Sequence, residues 1–353
     1  MIAFILRRLF YGILVMLLVV AGITSIIFLA PVDPAQLTFG QRADTGTIRA
    51  KTEELGLDQP LHIQLLRYLS DISPVSIMQE TPENKRKYHY ITLFGTGNGS
   101  VLVLKRPWLR ESYQTGRPVD ELLSEAVPST AILAASAMLL AILPGILLGI
   151  LAALYAGTRR DYLVSVVSVF GYSVPSYVAA VLLALVFGYY LGDYTGLNIQ
   201  GSLFVLDDFG EWQVQWKNLV LPAVALGLRP IALIAQLTRS AMLEVLSQDY
   251  IRTATAKGLS RRTVVVRHAL RNALNPLISA VSGWFGALLT GAFFVESVFN
   301  FKGLGDMTVG ALLSFDIPVV LGSVLFTSAV FIVINIISDL LYALADPRID
   351  LAD

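Results

Sequence analysis

The sequence predicts an all-α membrane protein with six transmembrane helices and a small α+β insertion outside the membrane, between the first and second helix. The 353 residues are 55% hydrophobic and only 15% charged, which fits either a large globular protein or a membrane protein. The distribution of charge decides between these classes. Segments 126–158 and 162–192 contain no charged residue, and each is longer than the roughly 20 residues that cross a bilayer core.

Four further segments complete the six predicted spans. They are residues 9–30, 219–238, 274–295 and 319–338. The first of them continues into APVDPA without the small-residue cleavage signature of a signal peptide. We therefore expect residues 1–30 to form a retained N-terminal transmembrane helix, with a cleaved signal peptide as the alternative.

Lysine and arginine are distributed unevenly between the segments that flank the spans. The predicted inner segments hold 12 of them, whereas the predicted outer segments hold 2. The inner set is 1–8, 158–161, 239–273 and 346–353, and the outer set is 192–217 and 299–318. Because basic residues accumulate in short cytoplasmic loops, the asymmetry predicts that both termini are cytoplasmic.

Residues 31–125 are predicted to form an extracytoplasmic subdomain. In LGLDQPLHIQLLRYLSDI, Asp58 is a candidate N-cap and Pro60 lies in the first turn of an amphipathic helix. The apolar face of this helix consists of Leu61, Leu65, Leu69 and Ile72. Further along, YHYITLF and SVLVLK flank GTGNG, which predicts a β-hairpin. Whether this subdomain has more than a structural role stays open.

The sequence offers no catalytic or metal site. It contains no Walker A, HExxH or GxSxG motif and no cysteine. His62, His89 and His268 lie in separate segments without ligand spacing. The net charge of zero gives no indication of a nucleic-acid partner. Because ionisable residues inside the spans are scarce, any uphill transport is expected to draw its energy from outside this chain.

A basic segment at about 239–273 separates two apolar runs. Within it, we expect a short helix over 247–257, with Ser247 as N-cap and Gly258 as a left-handed C-terminal cap. Ser260 is placed to cap a second helix that continues into the fifth span. Such a short helix is marginal alone. The small Ala254 and Ala256 beside Tyr250 and Ile251 form a face that could enter a groove on a partner. A merely solvated, positively charged loop is the alternative.

The stretch YIRTATAKGLSRRTVVVRHALRNAL resembles the cytoplasmic EAA loop of permease subunits of binding-protein-dependent ABC importers, in the dipeptide/oligopeptide branch. Arg252, Thr253 and Ala254 stand at the Glu-Ala-Ala positions of that loop, and Gly258 stands at its glycine. The Ile-x-Leu-Pro of the general family is replaced by residues 268–271, His-Ala-Leu-Arg, a departure typical of the peptide branch.

Further motifs of the same branch follow in order along the chain. They are PVDPA, LGLDQPL, TGRPV, LTRSAML, VESVFNFKGLG and NIISDLLYALADPRID. The stretch from about Ile72 to Pro107 departs from the usual short outer loop and resembles an insertion. It leaves open which binding protein docks there.

The resemblance implies an importer permease of the ABC type I kind in a bacterial inner membrane, with a five-helix core at 126–353. This chain would form half of the path and bind no cofactor itself. Its partners would be a homologous second permease, two ATPase subunits that bind ATP and Mg²⁺, an extracytoplasmic solute-binding protein and the lipid bilayer. The residues implied in ATPase coupling are Asp249, Tyr250, Ile251, Arg252, Thr253, Ala254, Ala256, Lys257, Gly258 and Leu259.

Two further side chains are candidates for the substrate path. Arg229, inside the fourth span, is costly in lipid and could attract a peptide carboxylate, with helix packing or snorkelling as the alternative. Glu296 could bind a substrate amine or close a gate, although pairing with Lys302 is the simpler explanation. Asn335 and Asp339 are expected to contact neighbouring helices or the inner membrane boundary.

The main functional prediction is a di- or oligopeptide importer subunit that is not itself an enzyme. A stand-alone secondary carrier or channel is one alternative, and a membrane-anchored receptor or scaffold is another. The cargo stays open between peptides, nickel, glutathione, antimicrobial peptides and sugar-derived oligomers, as does the choice between a homodimer and a heterodimer.

Overall fold

The computed structural model describes residues 2–29, 52–53, 58–97 and 99–345. Most of these residues are helical, and the strands are short. The helices are α1 (Ile2–Leu29), α2 (Leu61–Ile72), α3 (Pro82–Tyr88), α4 (Val119–Leu154), α5 (Arg159–Ser173), α6 (Ser176–Leu183), α7 (Gly192–Thr195), α8 (Lys217–Leu246), α9 (Asp249–Ala256), α10 (Arg261–Thr263), α11 (Arg271–Ala273), α12 (Asn275–Gly291), α13 (Phe293–Phe299), α14 (Leu304–Leu313) and α15 (Ile317–Ala345), with π-helical stretches π1 (Ala184–Tyr190) and π2 (Val264–Leu270). The strands are β1 (Val75–Gln79), β2 (Ile91–Gly97), β3 (Ser100–Leu104), β4 (Phe204–Leu206) and β5 (Trp212–Val214).

The chain divides into two compact units. The first contains Met1–Gly12, Ala126–Val309 and Thr327–Asp353, and the second contains Ile13–Glu125 and Gly310–Phe326. Each unit is described separately.

Four helices in the described ranges are long and apolar enough to cross a membrane alone. The qualifying stretches are Leu6–Ser25, Val119–Leu154, Lys217–Leu246 and Ile317–Leu340. They correspond to the predicted first, second, fourth and sixth spans.

The predicted third span is not one straight helix. Helices α5 and α6 with π1 form an apolar pair that is bent by 100°. Val174 ends α5 in an extended conformation, and Pro175 precedes α6. A residue before proline is driven out of the α region by the proline ring, so the break is local. The earlier expectation of a continuous span over 162–192 is corrected to a broken one.

The predicted fifth span contains a helix of only 17 residues, α12. At about 1.5 Å per residue it reaches roughly 26 Å, short of the roughly 30 Å hydrocarbon core. Helix α13 follows after Ala292. Length and composition therefore support four spans, or five with the bent pair.

The core of the first unit depends on small residues between α4 and α8. Ala134, Ala137 and Ala141 of α4 and Ala225 of α8 are all buried in one apolar cluster. A Cβ on Gly227 would lie 3.0 Å from the Ala137 carbonyl oxygen. Small side chains allow helix backbones to approach closely, so α4 and α8 form the centre of this unit.

An ion pair joins α5 to α8 near the end of α8. Arg239 Nε and Nη2 donate to the two carboxylate oxygens of Asp161 at 2.6 and 2.7 Å. Asp161 Oδ2 also accepts from the backbone amide of Gly157 at 3.0 Å. Two-point pairing of this kind fixes orientation as well as distance. It holds the part of α8 that leads into the basic segment.

In the second unit, the predicted amphipathic helix is present as α2. Leu65, Leu69 and Ile72 lie against a cluster in which Tyr68 is buried with Val20 of α1. The same cluster contains Ile317 and Leu321 of α15. Pro60 is the N-cap residue itself, not part of the first turn. Asp58 lies outside the cap, and the side chain of Leu61 lies outside the described residues.

The predicted hairpin is formed by β2 and β3, which pair antiparallel. The sequence did not indicate β1, which pairs with the other edge of β3 and gives the order β1-β3-β2. It also did not indicate α3, which Thr81 caps by accepting from the Asn84 amide at 3.2 Å. Most of residues 31–57 lies outside the described part of the chain.

Asp71 connects α2 to this sheet. Its carboxylate accepts from the Tyr88 hydroxyl and from Arg110 Nε, both at 2.8 Å. Its carbonyl oxygen accepts from Lys105 Nζ at 2.8 Å and from the Trp108 amide at 3.0 Å. Asp71 and Lys105 are both buried, and these bonds hold the sheet on α2.

Candidate functional site

The short helix predicted in the basic segment is present as α9, but its N-terminal cap differs. Gln248, in an extended conformation, is the N-cap residue. The Ser247 hydroxyl donates to the Glu244 carbonyl of α8 at 2.7 Å, so the predicted cap at Ser247 is wrong. Asp249 lies in the first turn, and its carboxylate is 3.4 Å from Arg252 Nη1.

The predicted left-handed glycine and the second cap are both confirmed. Gly258 has φ of +78° and donates its amide hydrogen to the Thr255 carbonyl at 3.0 Å. The Ser260 hydroxyl accepts from the Thr263 amide at 3.3 Å. Residues with a Cβ pay about 1–2 kcal/mol in this backbone region. The chain therefore turns sharply at Gly258 and starts α10 at once.

The inner face of α9 packs within this chain. Ile251 is 5% exposed, and Ala254 is buried beside it. They join a cluster that includes Met242 of α8, Val265 of π2 and Ala269 of π2. Two members of the predicted partner face, Ile251 and Ala254, therefore point into the protein, whereas the other two, Tyr250 and Ala256, are exposed. At i and i+3, Ile251 and Ala254 share one face, and that face anchors the helix.

A hydrogen bond ties α9 to the helical run that follows it. Asn272 Nδ2 donates to the Tyr250 hydroxyl at 2.8 Å. Asn272 lies in α11, directly before α12. Tyr250 remains 42% exposed. The packing of Ile251 and this bond together hold α9 against the run from α10 to α12.

The outer face of α9 and the turn after it are exposed. The exposed members of the predicted coupling set are Asp249, Tyr250, Arg252, Thr253, Ala256, Lys257, Gly258 and Leu259. Two cations and one carboxylate lie among small and apolar groups. A surface of this kind can be recognised by a groove that supplies both apolar contact and acidic groups.

Arg229 lies in the middle of α8, near the bend between α5 and α6. Its side chain is exposed, and its guanidinium carbon lies 4.7 Å from the centroid of the Tyr172 ring. It borders a cavity of about 360 Å³ whose other lining residues, such as Val174 and Ala225, are mostly apolar. The cation–π contact stabilises the guanidinium beside this apolar surface.

Glu296 of α13 is completely buried, at 0% exposure. Its Oε1 accepts from the Thr130 hydroxyl at 2.7 Å. Its Oε2 accepts from the backbone amides of Gly305 and Asp306 at 2.7 and 3.1 Å. These amides begin α14, so the carboxylate lies at a helix N-terminus, where negative charge is favoured. The oxygens are occupied by these donors rather than by the proposed partner Lys302.

Two glycines make room for this carboxylate. A Cβ on Gly303 would lie 2.5 Å from Glu296 Oε2, and one on Gly305 would lie 2.5 Å from the Phe293 Cα. Thr130, which the sequence did not single out, accepts from the Leu304 amide at 2.8 Å while donating to Glu296. The residues of the predicted coupling set thus share one segment, whereas Arg229 and Glu296 belong to two other clusters.

Within the described residues, no group of three or more His, Asp or Glu side chains is placed to hold a metal ion. The features of the described residues that bear on function are one exposed helix face, its internal anchor and the buried carboxylate at α14. None of them has the arrangement of a nucleophile with a base.

Comparisons with known proteins agree with this geometry. Residues 145–351 match the family described as binding-protein-dependent transport system inner membrane component, and residues 1–134 match its N-terminal companion family. The chain is 34% identical to the di/tripeptide transport system permease protein DppB of Pseudomonas aeruginosa, over 99% of both chains. It is also 34% identical to the glutathione transport system permease protein GsiC of Salmonella typhimurium, again over 99% of both.

A solved structure shares the fold. A chain of the MetNI methionine ABC transporter, in an inward-facing conformation, superposes with a TM-score of 0.52 at 18% identity, covering 64% of this chain and 97% of that one. Because the sequence matches extend over nearly the whole chain, this protein belongs to the inner membrane permease subunits of binding-protein-dependent ABC transport systems.

Proposed function

We propose that this chain forms half of the translocation path of an ATP-driven importer for di- or oligopeptides. The observation that carries the proposal is the full-length similarity to permeases named for di/tripeptide and glutathione transport. Glutathione is itself a tripeptide, so these cargoes share a peptide backbone and a carboxylate. The exposed outer face of α9, which is accessible to a partner, supports the same conclusion.

The proposed topology has six spans, with both termini in the cytoplasm and residues 31–125 outside. Support comes from the four long apolar helices, the bent pair and the short α12 as a fifth and sixth crossing. The excess of Lys and Arg in the predicted inner segments supports the same orientation. The protein would then lie in a bacterial inner membrane, facing an extracytoplasmic solute-binding protein on its outer side.

The outer face of α9 is proposed to dock into a groove on an ATPase subunit. Two such subunits would bind ATP and Mg²⁺, while a homologous second permease would complete the path. Exposed Arg252, Thr253 and Lys257 are available for this contact. Buried Ile251 and Ala254 are not, and they serve instead as the attachment of α9 to its own chain.

Motion of α9 would pass to the membrane through the following helices. The run from α10 to α11 connects directly to α12. Because α9 contacts that run both through Ile251 and through the Tyr250–Asn272 hydrogen bond, displacement of α9 would displace the start of α12. Closure of the ATPase pair would in this way change access to the path.

The two predicted path residues receive different proposals. Arg229, exposed beside the bend at Pro175, is proposed to attract the carboxylate of a passing peptide. Glu296 is proposed to position α14 against α4, since its oxygens accept from Thr130 and from the α14 amides. Unchanged substrate preference in Arg229→Gln would remove Arg229 from the path.

Purification of the chain from its native membrane in mild detergent, with mass spectrometry of what accompanies it, tests the proposal. We expect a second permease and one or two ATPases, and ATP hydrolysis by that complex should rise when the soluble binding protein and a peptide are added. A chain that is recovered alone, under conditions that preserve known complexes, would support the carrier or receptor alternatives instead.

A further inference from the structure

The second unit carries an apolar sheet face that nothing in the described chain covers. The face consists of two rows of directly paired residues on the three strands. The rows are Val75–Leu104–Ile91 and Ile77–Leu102–Phe94. Five of the six side chains are exposed, among them Ile77 at 64% and Phe94 at 71%. Contiguous exposed apolar surface of this kind marks a contact site rather than a surface that faces water.

The opposite face of the same sheet is already occupied. Val101 and Val103 of β3 are buried with Tyr90, and Met78 and Tyr88 pack against them. Because successive side chains of a strand point to opposite faces, the exposed rows cannot share this small core. The sheet therefore has a filled inner face and an unfilled outer face.

The sheet is connected, by contacts within its own unit, to helices that are long and apolar enough to cross a membrane. Helix α2 packs on Val20 and Leu321, which lie near the ends of the membrane-crossing stretches Leu6–Ser25 and Ile317–Leu340. The Asp71 carbonyl and the Lys105 amide, which donates to Pro74 at 2.9 Å, then fix the near end of the sheet to α2. The row that contains Val75 is the one next to this attachment.

Charge on the insertion also favours a lipid surface. The six positions of the outer face contain no charged residue, and residues 72–107 contain five basic against two acidic residues, with one of the five, Lys105, buried against Asp71 on the opposite side. Arg106 follows Leu104 by two positions, and its side chain is strongly exposed, 3.8 Å from Asp120. Apolar side chains bordered by basic ones are typical of protein surfaces that lie in the membrane interface.

We propose that the Val75–Leu104–Ile91 and Ile77–Leu102–Phe94 face docks onto the lipid bilayer, with its apolar side chains in the interfacial region of an anionic leaflet. The attachment to α1 and α15 keeps the sheet within reach of the bilayer, so that a modest apolar area is sufficient to hold it there. The insertion then serves as a brace that orients the subdomain, with the Asp71 and Lys105 side turned away from the lipid. This inference goes beyond the transport role and holds for either membrane side.

The absence of cysteine from the chain allows a direct test with single-cysteine variants of the full-length protein. Phe94→Cys and Ile77→Cys report on the outer face. Thr92→Cys reports on the opposite side of the same strand, because Thr92 pairs with Val103 and a register shift separates it from Phe94. Each variant is labelled with an environment-sensitive fluorophore in nanodiscs of phosphatidylethanolamine and phosphatidylglycerol. Quenching of the emission by lipids that carry a quencher is then compared with quenching by aqueous iodide.

We expect emission from positions 94 and 77 to shift to shorter wavelength, to be quenched by the lipid-borne quencher and to be protected from iodide. Emission from position 92 should show none of these changes. Two β-strands are sampled, so that one misfolded variant does not decide the result. Equal iodide quenching at all three positions would overturn the proposal. So would protection at 94 and 77 that develops only when a second permease or a binding protein is added, since the face would then belong to a protein interface.

Discussion

The coupling segment and the Glu296 cluster use charged residues in opposite ways. In α9 the charged groups Arg252 and Lys257 are exposed, and only the apolar Ile251 and Ala254 are buried. At Glu296 the charge is the buried group, and each carboxylate oxygen accepts a hydrogen bond from within the chain. One region exposes its polar groups, whereas the other buries them and uses them to join its own helices.

This difference indicates which residues can be substituted to test function without unfolding the protein. An exposed side chain in α9 can be replaced with little effect on the folded state, because surface substitutions usually change stability by less than about 0.5 kcal/mol. A buried carboxylate that accepts from three donors cannot be replaced with so little effect, because its removal leaves those donors without acceptors. The predictions below test this contrast, beginning with the largest effect on stability.

Glu296→Ala should cause the largest loss of stability. The Thr130 hydroxyl and the Gly305 and Asp306 amides would lose their acceptor, and each unpaired buried donor costs about 1–3 kcal/mol. Thermal unfolding of the purified chain in detergent micelles measures the effect. Glu296→Gln, which keeps one acceptor oxygen and the shape, is the control and should lose clearly less. An equal thermal unfolding midpoint for Glu296→Ala and the wild-type protein would show that this cluster does not stabilise the fold.

Ile251→Ala should release α9 from its anchor. Truncation of a buried isoleucine costs about 2–5 kcal/mol, whereas Ile251→Val costs about 0.5–1.5 kcal/mol. Because the cluster joins α9 to Met242 and Val265, faster hydrogen exchange is expected at the amides of α9. The same measurement on Ile251→Val provides the matched control. Unchanged exchange in the Ala variant would mean that α9 is held by something other than this packing.

Gly258→Val should uncouple transport from ATP hydrolysis while the complex still assembles. A Cβ at φ of +78° costs roughly 1 kcal/mol or more, so the turn after α9 changes. Uptake and ATP hydrolysis are measured together in proteoliposomes. Gly310→Ala is a suitable control, because Gly310 lies inside α14 with nothing within 4 Å of an added Cβ. Normal uptake by the Gly258 variant would contradict the expected role of this turn.

Thr253→Glu should have the smallest effect on folding and still weaken ATPase binding. Thr253 is exposed, and its hydroxyl contacts only the Asp249 carbonyl of its own helix, at 3.0 Å. A negative charge there would disturb a groove that accepts the basic face of α9. Co-purification of the ATPase should fall in Thr253→Glu and persist in the near-isosteric Thr253→Val. A similar loss in both variants would indicate that the hydroxyl, not the charge, matters.

Features that depend on a few neighbouring residues could be predicted from the sequence. Gly258 and Ser260 follow from local backbone preferences, and the structure confirms both. The hairpin around residues 95–99 follows from alternation and glycine. Ser247 was assigned the wrong role because two helices meet there, so its hydroxyl completes the end of α8 instead of the start of α9.

Features that depend on distant partners could not be predicted. Thr130 lies 166 residues from Glu296, so the charge pattern suggested the neighbouring Lys302 instead. The pattern of α9 shows that Ile251 and Ala254 share a face, but not whether that face meets this chain or another. Pro175 is compatible with a kink or a full break, so the sequence alone does not give the 100° bend.

Photo-crosslinking from α9 is the measurement that tests the central claim most directly. A benzophenone amino acid at position 253, on the exposed face, is compared with the same group at position 251, on the buried face. We expect position 253 to crosslink in native membranes to a subunit with a nucleotide-binding motif, and position 251 to crosslink only within this chain. Crosslinks from position 253 to lipid alone, or to proteins without such a motif, would contradict this expectation.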